Sequence, residues 1–267
     1  MSTANPASPA SPASSTSPTS SASSSSPARP ASPAGTDRVL PLVRLTDEEL
    51  VLMGASHPAV AAPFLDGLDP AGRQVATQVA YRSLCAHGLE PTADGTALVV
   101  PEGVVSMMQV RAAARAVLFV SRTTPDGQLV RYHHVGDQIV VLEDVAGDGV
   151  HDFALVDHDG LSAALREFVA ADGAADGAGP PVVITADALA AGEIDEAPWG
   201  EVVAQLDVTV WRPHTCDDDG PPVLLGFLLG RRGSWCSRNV AGDKAPIELH
   251  PVRPAEVAGA IEALMRA

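Results

Sequence analysis

No stretch of the sequence approaches the roughly 18 consecutive apolar residues that a membrane-spanning helix requires. The start of the chain has neither the basic residues nor the apolar run of a secretory signal. Aromatic residues are scarce, at 4 %, so a core must be built from the small aliphatic side chains that make up most of the 46 % apolar fraction. Basic residues are few as well. Against 33 Asp and Glu stand 17 Lys and Arg, a formal net charge of −16 over 267 residues. Such a surface repels phosphate backbones, and no cluster of Lys and Arg on one segment offsets the repulsion, which argues against nucleic-acid binding. The cysteines, Cys85, Cys216 and Cys236, are odd in number and far apart. They fit a reducing compartment better than a disulfide framework and read as small buried hydrophobes. These absences predict a soluble, acidic, cytoplasmic protein with no membrane insertion.

Catalytic signatures are missing too: GxSxG, the phosphate-binding GxxxxGK, GxGxxG and HExxH do not occur. His133 and His134 are adjacent, and neighbouring residues on a strand point to opposite faces, so they cannot hold one ion together. His151 and His158, near Asp152, Asp157 and Asp159, offer the ingredients of a carboxylate-rich site with a titrating base. Their positions read as turns on an acidic surface. No catalytic, cofactor-binding or metal-ligating residue is nominated, and no cofactor is expected.

What is present is organised in three parts. Residues 1–36 are mostly Ser, Pro and Ala, with one Arg and no Val, Ile, Leu or Phe, the composition of a disordered tail. Residues 37–172 open with helices. Thr46 followed by Glu49 makes a capping box for a short first helix. Asp69 as cap, Pro70 at the first helical position and Gly88 as stop delimit a second, whose buried face reads as Val75, Val79, Ala80 and Leu84. A short strand at Leu98–Val100 and a third helix through Val104, Val105, Met108 and Val110 follow. Then come four strand-like runs, VLFVSR, LVRYHHV, QIVVLEDV and DFALV, and the helix GLSAALREFVA. Residues 173–267 repeat the order after a Gly/Ala/Pro linker: helical segments at Ala186–Ile194 and Trp199–Leu206, the runs VTVWRP, VLLGFLLG, SWCSRNV and PIELHPV, and a last helix PAEVAGAIEALMR.

The repetition is nearly literal at one point. An offset of 95 residues lays Asn239-Val-Ala-Gly-Asp243 on Asp144-Val-Ala-Gly-Asp148, Tyr132 on Phe227 and Val140 on Trp235. With one more residue the last helices agree, Leu161 with Val257, Leu165 with Ile261 and Phe168 with Leu264. The chain reads as an α+β protein with an internally duplicated unit of antiparallel β-meander plus helix. The repeat also decides the meaning of EDVAGDGVHDFALV. Asp144, Asp148 and Asp152 have the spacing of calcium-loop ligands. The matching positions in the second copy are Asn239, Asp243 and Ile247, however, and position 146 is Ala. Gly and Asp beside a chain reversal account for both copies as turns.

The copies differ where one strand alternates Leu129, Arg131 and His133 against Val130 and Tyr132, while its counterpart reads Leu224-Leu225-Gly226-Phe227-Leu228-Leu229. Leu225 and Phe227 can fill the inherited core. Leu224 and Leu228 then occupy the face the first copy leaves to water, and they are the candidate partner-binding residues, since uncovered apolar surface marks interaction sites. Coverage by the chain's own helices is the alternative.

The order LTDEEL, LCAHGLEP, LVVPEGVVSMMQV, VLFV, then two meander-plus-helix units, the second containing RGSW and ending PVRPAEVAGAIEALM, resembles EspG, the cytosolic secretion-associated chaperone of type VII (ESX) systems. The resemblance spans nearly all of residues 40–267. It implies an α+β fold with quasi-twofold symmetry, two half-sheets and flanking helical bundles. It also implies a non-enzymatic chaperone or adaptor that keeps helical secretion substrates, PE/PPE-like or other ESX cargo, soluble for export. The rival readings are a metal-dependent or hydrolytic enzyme using the Asp and His turns, and a winged-helix-like DNA-binding regulator using the first three helices.

Overall fold

The computed structural model describes residues 39–89, 91–93, 98–212, 223–240 and 246–266. The tail 1–36, Cys216 and the turn residues 241–243 of the second pentapeptide lie outside them. The chain enters on β1 (Leu40–Thr46), followed by helices α1 (Asp47–Leu52), α2 (Pro63–Asp66), α3 (Pro70–Ala86) and α4 (Glu102–Ala112). Strands β2 (Ala116–Thr124), β3 (Gly127–Val135), β4 (Ile139–Val145) and β5 (Val150–Asp157) lead into α5 (His158–Phe168). Past the linker come β6 (Val182–Ile184), α6 (Ala186–Ala191), β7 (Val202–Trp211), β8 (Val223–Gly230), β9 (Ser234–Val240), β10 (Ile247–Val252), a 3-10 turn at Pro254–Glu256 and α7 (Val257–Arg266).

The strands form one ten-stranded sheet in the order β1-β5-β4-β3-β2-β7-β8-β9-β10-β6, antiparallel throughout. Consecutive hairpins lay down each meander. The two meanders join where β2 pairs with β7, from Val117 opposite Trp211 to Thr123 opposite Gln205. Each meander is followed by a helix, α5 or α7, and strand alternation turns one sheet face toward both. Leu118 and Val120 of β2, Leu206 and Val208 of β7, and Phe227 and Leu229 of β8 pack there with Leu161 and Leu165 of α5 and Val257 and Ile261 of α7. At about 1.5–3 kcal/mol for each large side chain withdrawn from water, this layer is the main source of stability. The opposite face has two separate covers. Leu45, Leu50, Leu84, Met107, Val141 and Phe153 form a core beneath the helices of the first half, and Trp199, Trp235 and Leu249 close a smaller one in the second.

The local signals act where the sequence puts them. Thr46 Oγ1 accepts from the Glu49 N–H at 3.3 Å and Glu49 Oε2 from the Thr46 N–H at 3.0 Å. Asp69 accepts from the Gly72 N–H at 2.7 Å, and Gly88 leaves α3 at φ +89°. Four expectations need correction. Strand β1 is not announced by its sequence. The segment Trp199–Leu206 is not helical: Trp199, Val202, Val203 and Leu206 have helical spacing, but Ala204, Leu206, Val208 and Val210 also alternate, and ladders to β2 and β8 on both sides settle the strand. Leu98 forms only an isolated bridge to Pro91. The buried seam of α3 is Ala76, Ala80 and Leu84, while Val75 and Val79 are 59 % and 53 % exposed. Small alanines line the side toward the core, and the valines turn to solvent.

The pairing register also departs from the offset read in the sequence. Val135 lies opposite Val140 across the β3–β4 hairpin and Leu229 opposite Ser234 across β8–β9, so positions equivalent by pairing lie one residue short of that offset. Tyr132 accordingly packs with Val117 on one face, whereas Phe227 belongs to the helix-covered core on the other. The α5 and α7 pairs Leu161 and Val257, Leu165 and Ile261, Phe168 and Leu264 are all buried.

Two substitutions on α3 test its orientation. Leu84→Ala is expected to cost about 2–5 kcal/mol, and Val79→Ser to stay within about 0.5 kcal/mol, both read by urea denaturation. Comparable losses would place Val79 in the core.

Candidate functional site

The ladders across the seam assemble a strip on the face opposite α5 and α7. Reading from β2 through β9, one row is Phe119, Thr209, Leu224, Asn239 and the next is Ser121, Asp207, Gly226, Ser237. A third is Thr123, Gln205, Leu228, Trp235. Gln205, Asp207 and Leu224 are exposed. At one side Phe119 packs with Tyr132 under the first half. At the other, Leu228 and Trp235 join Trp199 and Leu249 beneath β6 and the α6 region. Between these covers, among the described residues, the strip is open at Gln205, Asp207 and Leu224, while Ser121 and Ser237 are buried in its floor. A Cβ on Gly226 would stand 2.8 Å from Ser237 Oγ, so glycine keeps the middle of the strip flat.

The two nominated residues therefore have different surroundings. Leu224 is 40 % exposed at the open end of the strip. Leu228 is half-buried against the aromatic core of the second half, so a charge there threatens that core as well as any docking surface.

A second feature lies beneath the first-half helices, and it takes in His151, which the sequence reading placed in a solvated turn. His151 is buried on β5, with Nδ1 2.7 Å from Glu143 Oε1 and Nε2 2.6 Å from Asp47 Oδ1. Arg111 of α4 grips Glu143 with two parallel bonds of 2.8 and 2.9 Å, and His134 Nε2 completes the set at 2.6 Å. Four donors saturate the Glu143 carboxylate. Asp47 Oδ2 accepts from the N–H groups of Phe64 and Leu65 at 2.8 and 3.3 Å, and Arg111 also donates to the Ala55 carbonyl. Helices α1, α2 and α4 are thus tied to β3, β4 and β5. Gly149, at φ +79°, turns the chain beside Asp47, where a Cβ would lie 2.6 Å from Phe64 Cβ and 2.7 Å from Asp47 Oδ2.

Electrostatics follow from the geometry. Burial alone would raise the Glu143 pKa, but donors from His134, His151 and Arg111 outweigh it and hold the carboxyl well below its usual range. Burial opposes a charge on His151, yet its bonds to Glu143 and Asp47 prevail and raise its pKa. A His151 imidazolium and Arg111 then balance the two carboxylates. His134 is pushed down, burial outweighing its bond to Glu143, so it donates as a neutral ring. Burial, then the neighbouring His134, lowers His57 to about 4. Burial lowers His133 to about 3. Both nitrogens of His151 and all the lone pairs of Glu143 are engaged, and among the described residues no Ser, Thr or Cys side chain joins the cluster. Its chemistry is that of a joint between layers.

The other Asp and His residues of the turns separate. Asp144 pairs with Arg131 at 2.5 and 2.7 Å, and Asp152 with Arg44 at 2.6 and 2.7 Å. Asp157 caps α5 through the Gly160 N–H, and His158 lies 3.1 Å from the Asp137 carbonyl. The turn itself is closed by Gly149 N–H to the Ala146 carbonyl at 3.0 Å. Sequence carried one signal for the buried joint: Glu143 is a charge on the strand face it shares with Val141, otherwise a core position.

No protein-family model matches the sequence, and no curated protein matches it significantly. Among solved structures the chain matches the Mycobacterium tuberculosis type VII secretion system chaperone EspG5, determined in complex with a PE25–PPE41 dimer. The match has a TM-score of 0.51 and 15 % identity, over 84 % of this chain and 95 % of that one. The chain shares its fold with this chaperone. At that identity the likeness concerns the backbone path, and among the described residues no helix is long and apolar enough to cross a membrane.

The joint makes a pH prediction. The folded pKa of His151 is raised, so its stabilisation is complete below the unfolded value near 6.5 and fades as pH rises through the folded value. Replacing His151 by Gln should cost about 3 kcal/mol at pH 6, a gap that narrows as the pH rises through the raised folded value. Urea midpoints of both proteins measure it, and a gap that widens with pH contradicts the assignment.

Proposed function

We propose that the protein is a cytoplasmic chaperone or adaptor that binds helical secretion substrates of a type VII system, PE/PPE-like or of another ESX class, and keeps them soluble for export. The observation that carries this reading is the shared fold with EspG5 over 84 % of this chain and 95 % of that one. The open strip on β7 and β8 supports it. Its width is set by the two covers, and it presents Leu224 beside Thr209 with Gln205 and Asp207 along its length. An amphipathic helix would set an apolar i, i+3, i+4, i+7 stripe against Leu224 and the flat Gly226, its polar flanks meeting Asp207 and Gln205. We assign no enzymatic role, no cofactor and no nucleic-acid partner.

The finer architecture belongs to the same proposal. Meander and helix occur in the same order on either side of the β2–β7 seam, and Val120 faces Val208 at its middle. This arrangement supports a duplicated segment related by a quasi-twofold axis through that pair. Residues 37–172 and 173–267 would then be its halves, preceded by the tail.

The test is co-expression with a helical type VII substrate pair from the same cell and measurement of the complex by size-exclusion chromatography with light scattering. A stoichiometric complex with the unaltered chain is expected. Leu224→Asp should weaken it at least tenfold while leaving the urea midpoint within about 0.5 kcal/mol of the parent. Leu224→Asp with Leu228→Asp should weaken it further, at a cost in stability from the second-half core. No complex with any such substrate, or one indifferent to Leu224→Asp, contradicts the reading.

A further inference from the structure

We propose that the cleft at the β1 edge of the sheet docks a lysine side chain carried on an apolar polypeptide segment of a partner. The cleft is built by β1, α1, α3 and the entrance to α4, away from the open strip, and does not depend on the strip's role. Its volume is about 580 Å³, and Leu42, Leu45, Met53, Leu84, Leu89 and Val104 supply apolar walls. Glu49 interrupts them. Its side chain is only 2 % exposed. One oxygen, Oε2, accepts from the Thr46 N–H in the capping box, but Oε1 is buried without a hydrogen-bond partner among the described residues. His87 Nδ1 approaches no closer than 3.8 Å and is on an exposed side chain. Arg44, also on the rim, is held by Asp152 at 2.6 and 2.7 Å.

A buried carboxylate oxygen left unpaired is a standing cost, and a donor that reaches it recovers that cost on binding. The donor's identity follows from the geometry. Because Oε2 is committed to the helix cap, the site offers a single acceptor. A guanidinium binds best through two parallel bonds to both oxygens, whereas an ammonium is a compact point charge that one oxygen can satisfy. The four-carbon stem of lysine is apolar and lies well along leucine and valine walls while its head reaches the acid. The cleft exceeds the volume of one such side chain, leaving room for apolar neighbours on the docked segment. The net charge of −16 draws a basic segment toward it.

The experiment uses the full chain and two probes followed by ¹H–¹⁵N NMR: n-hexylammonium, and the peptide acetyl-Ala-Leu-Lys-Leu-Ala-amide with its Arg and norleucine counterparts. Saturable shifts of the Leu45, Glu49, Leu84 and Val104 amides are expected with both the amine and the Lys peptide. The Arg and norleucine peptides should bind at least tenfold more weakly. Glu49→Gln keeps an acceptor for the cap and should lower Lys-peptide affinity about tenfold, the effect of a lost charge-assisted bond. An identical urea midpoint for that variant separates lost binding from lost folding. Equal binding of n-hexanol and n-hexylammonium, or an affinity unchanged by Glu49→Gln, overturns the proposal. Binding of the amine with a silent peptide overturns the polypeptide source in favour of a small amphipathic amine.

Discussion

The β2–β7 ladder is the constraint on which the rest depends. Without it the chain would hold two separate meanders, each with a long unpaired edge and a helix covering half a core. Pairing Val117 through Thr123 with Trp211 through Gln205 removes both edges and merges the apolar faces, so that α5 and α7 pack on one continuous layer. The same alternation that sends Leu118, Val120, Leu206 and Val208 inward sends Phe119, Ser121, Asp207 and Thr209 to the opposite face. The open strip is therefore a by-product of the seam. A sheet face at the middle of ten strands is rigid, the quality that the proposed docking role asks of it.

The first half is fastened by different means. Its helices rest on an apolar patch and on the ionic joint of Asp47, His151, Glu143, Arg111 and His134. Buried charges of this kind are weak evidence for net stability, because desolvation offsets much of their attraction. What they do well is punish misalignment. If α1 or α4 slid along the sheet, it would strand Glu143 or Arg111 without a partner. The joint thus fixes where the helical layer sits, and with it the edge of the open strip and the walls of the β1 cleft.

Much of this was legible in the sequence where the cause was local. VLLGFLLG and SWCSRNV are β8 and β9 residue for residue, Thr46 and Glu49 build the expected capping box, and Asp69 and Pro70 start α3. The repetition of meander and helix gave the chain's layout, and the resemblance to EspG anticipated the shared fold with EspG5. What sequence could not give depends on distant parts of the chain. Strand β1 exists because β5 pairs with it, and Trp199–Leu206 is a strand because neighbours on both sides hydrogen-bond to it. The pentapeptide match held the hairpins one residue out of register, enough to exchange the faces of a strand. His151 was read as a turn residue because its partners, Asp47 and Glu143, come from another helix and another strand. Leu224 and Leu228 share a strand face, yet only the fold reveals that one is open and the other lies under an aromatic core.

The claim that the open face of β7 and β8 receives a helical secretion substrate is tested most directly by site-specific photocrosslinking. A benzophenone side chain at Asp207, on the strip, is compared with one at Glu167, exposed on α5 across the sheet, in the presence of co-expressed helical substrate. The account predicts a crosslinked substrate from position 207 and none from 167. Crosslinking from 167 alone would place the partner on the helical layer and contradict it.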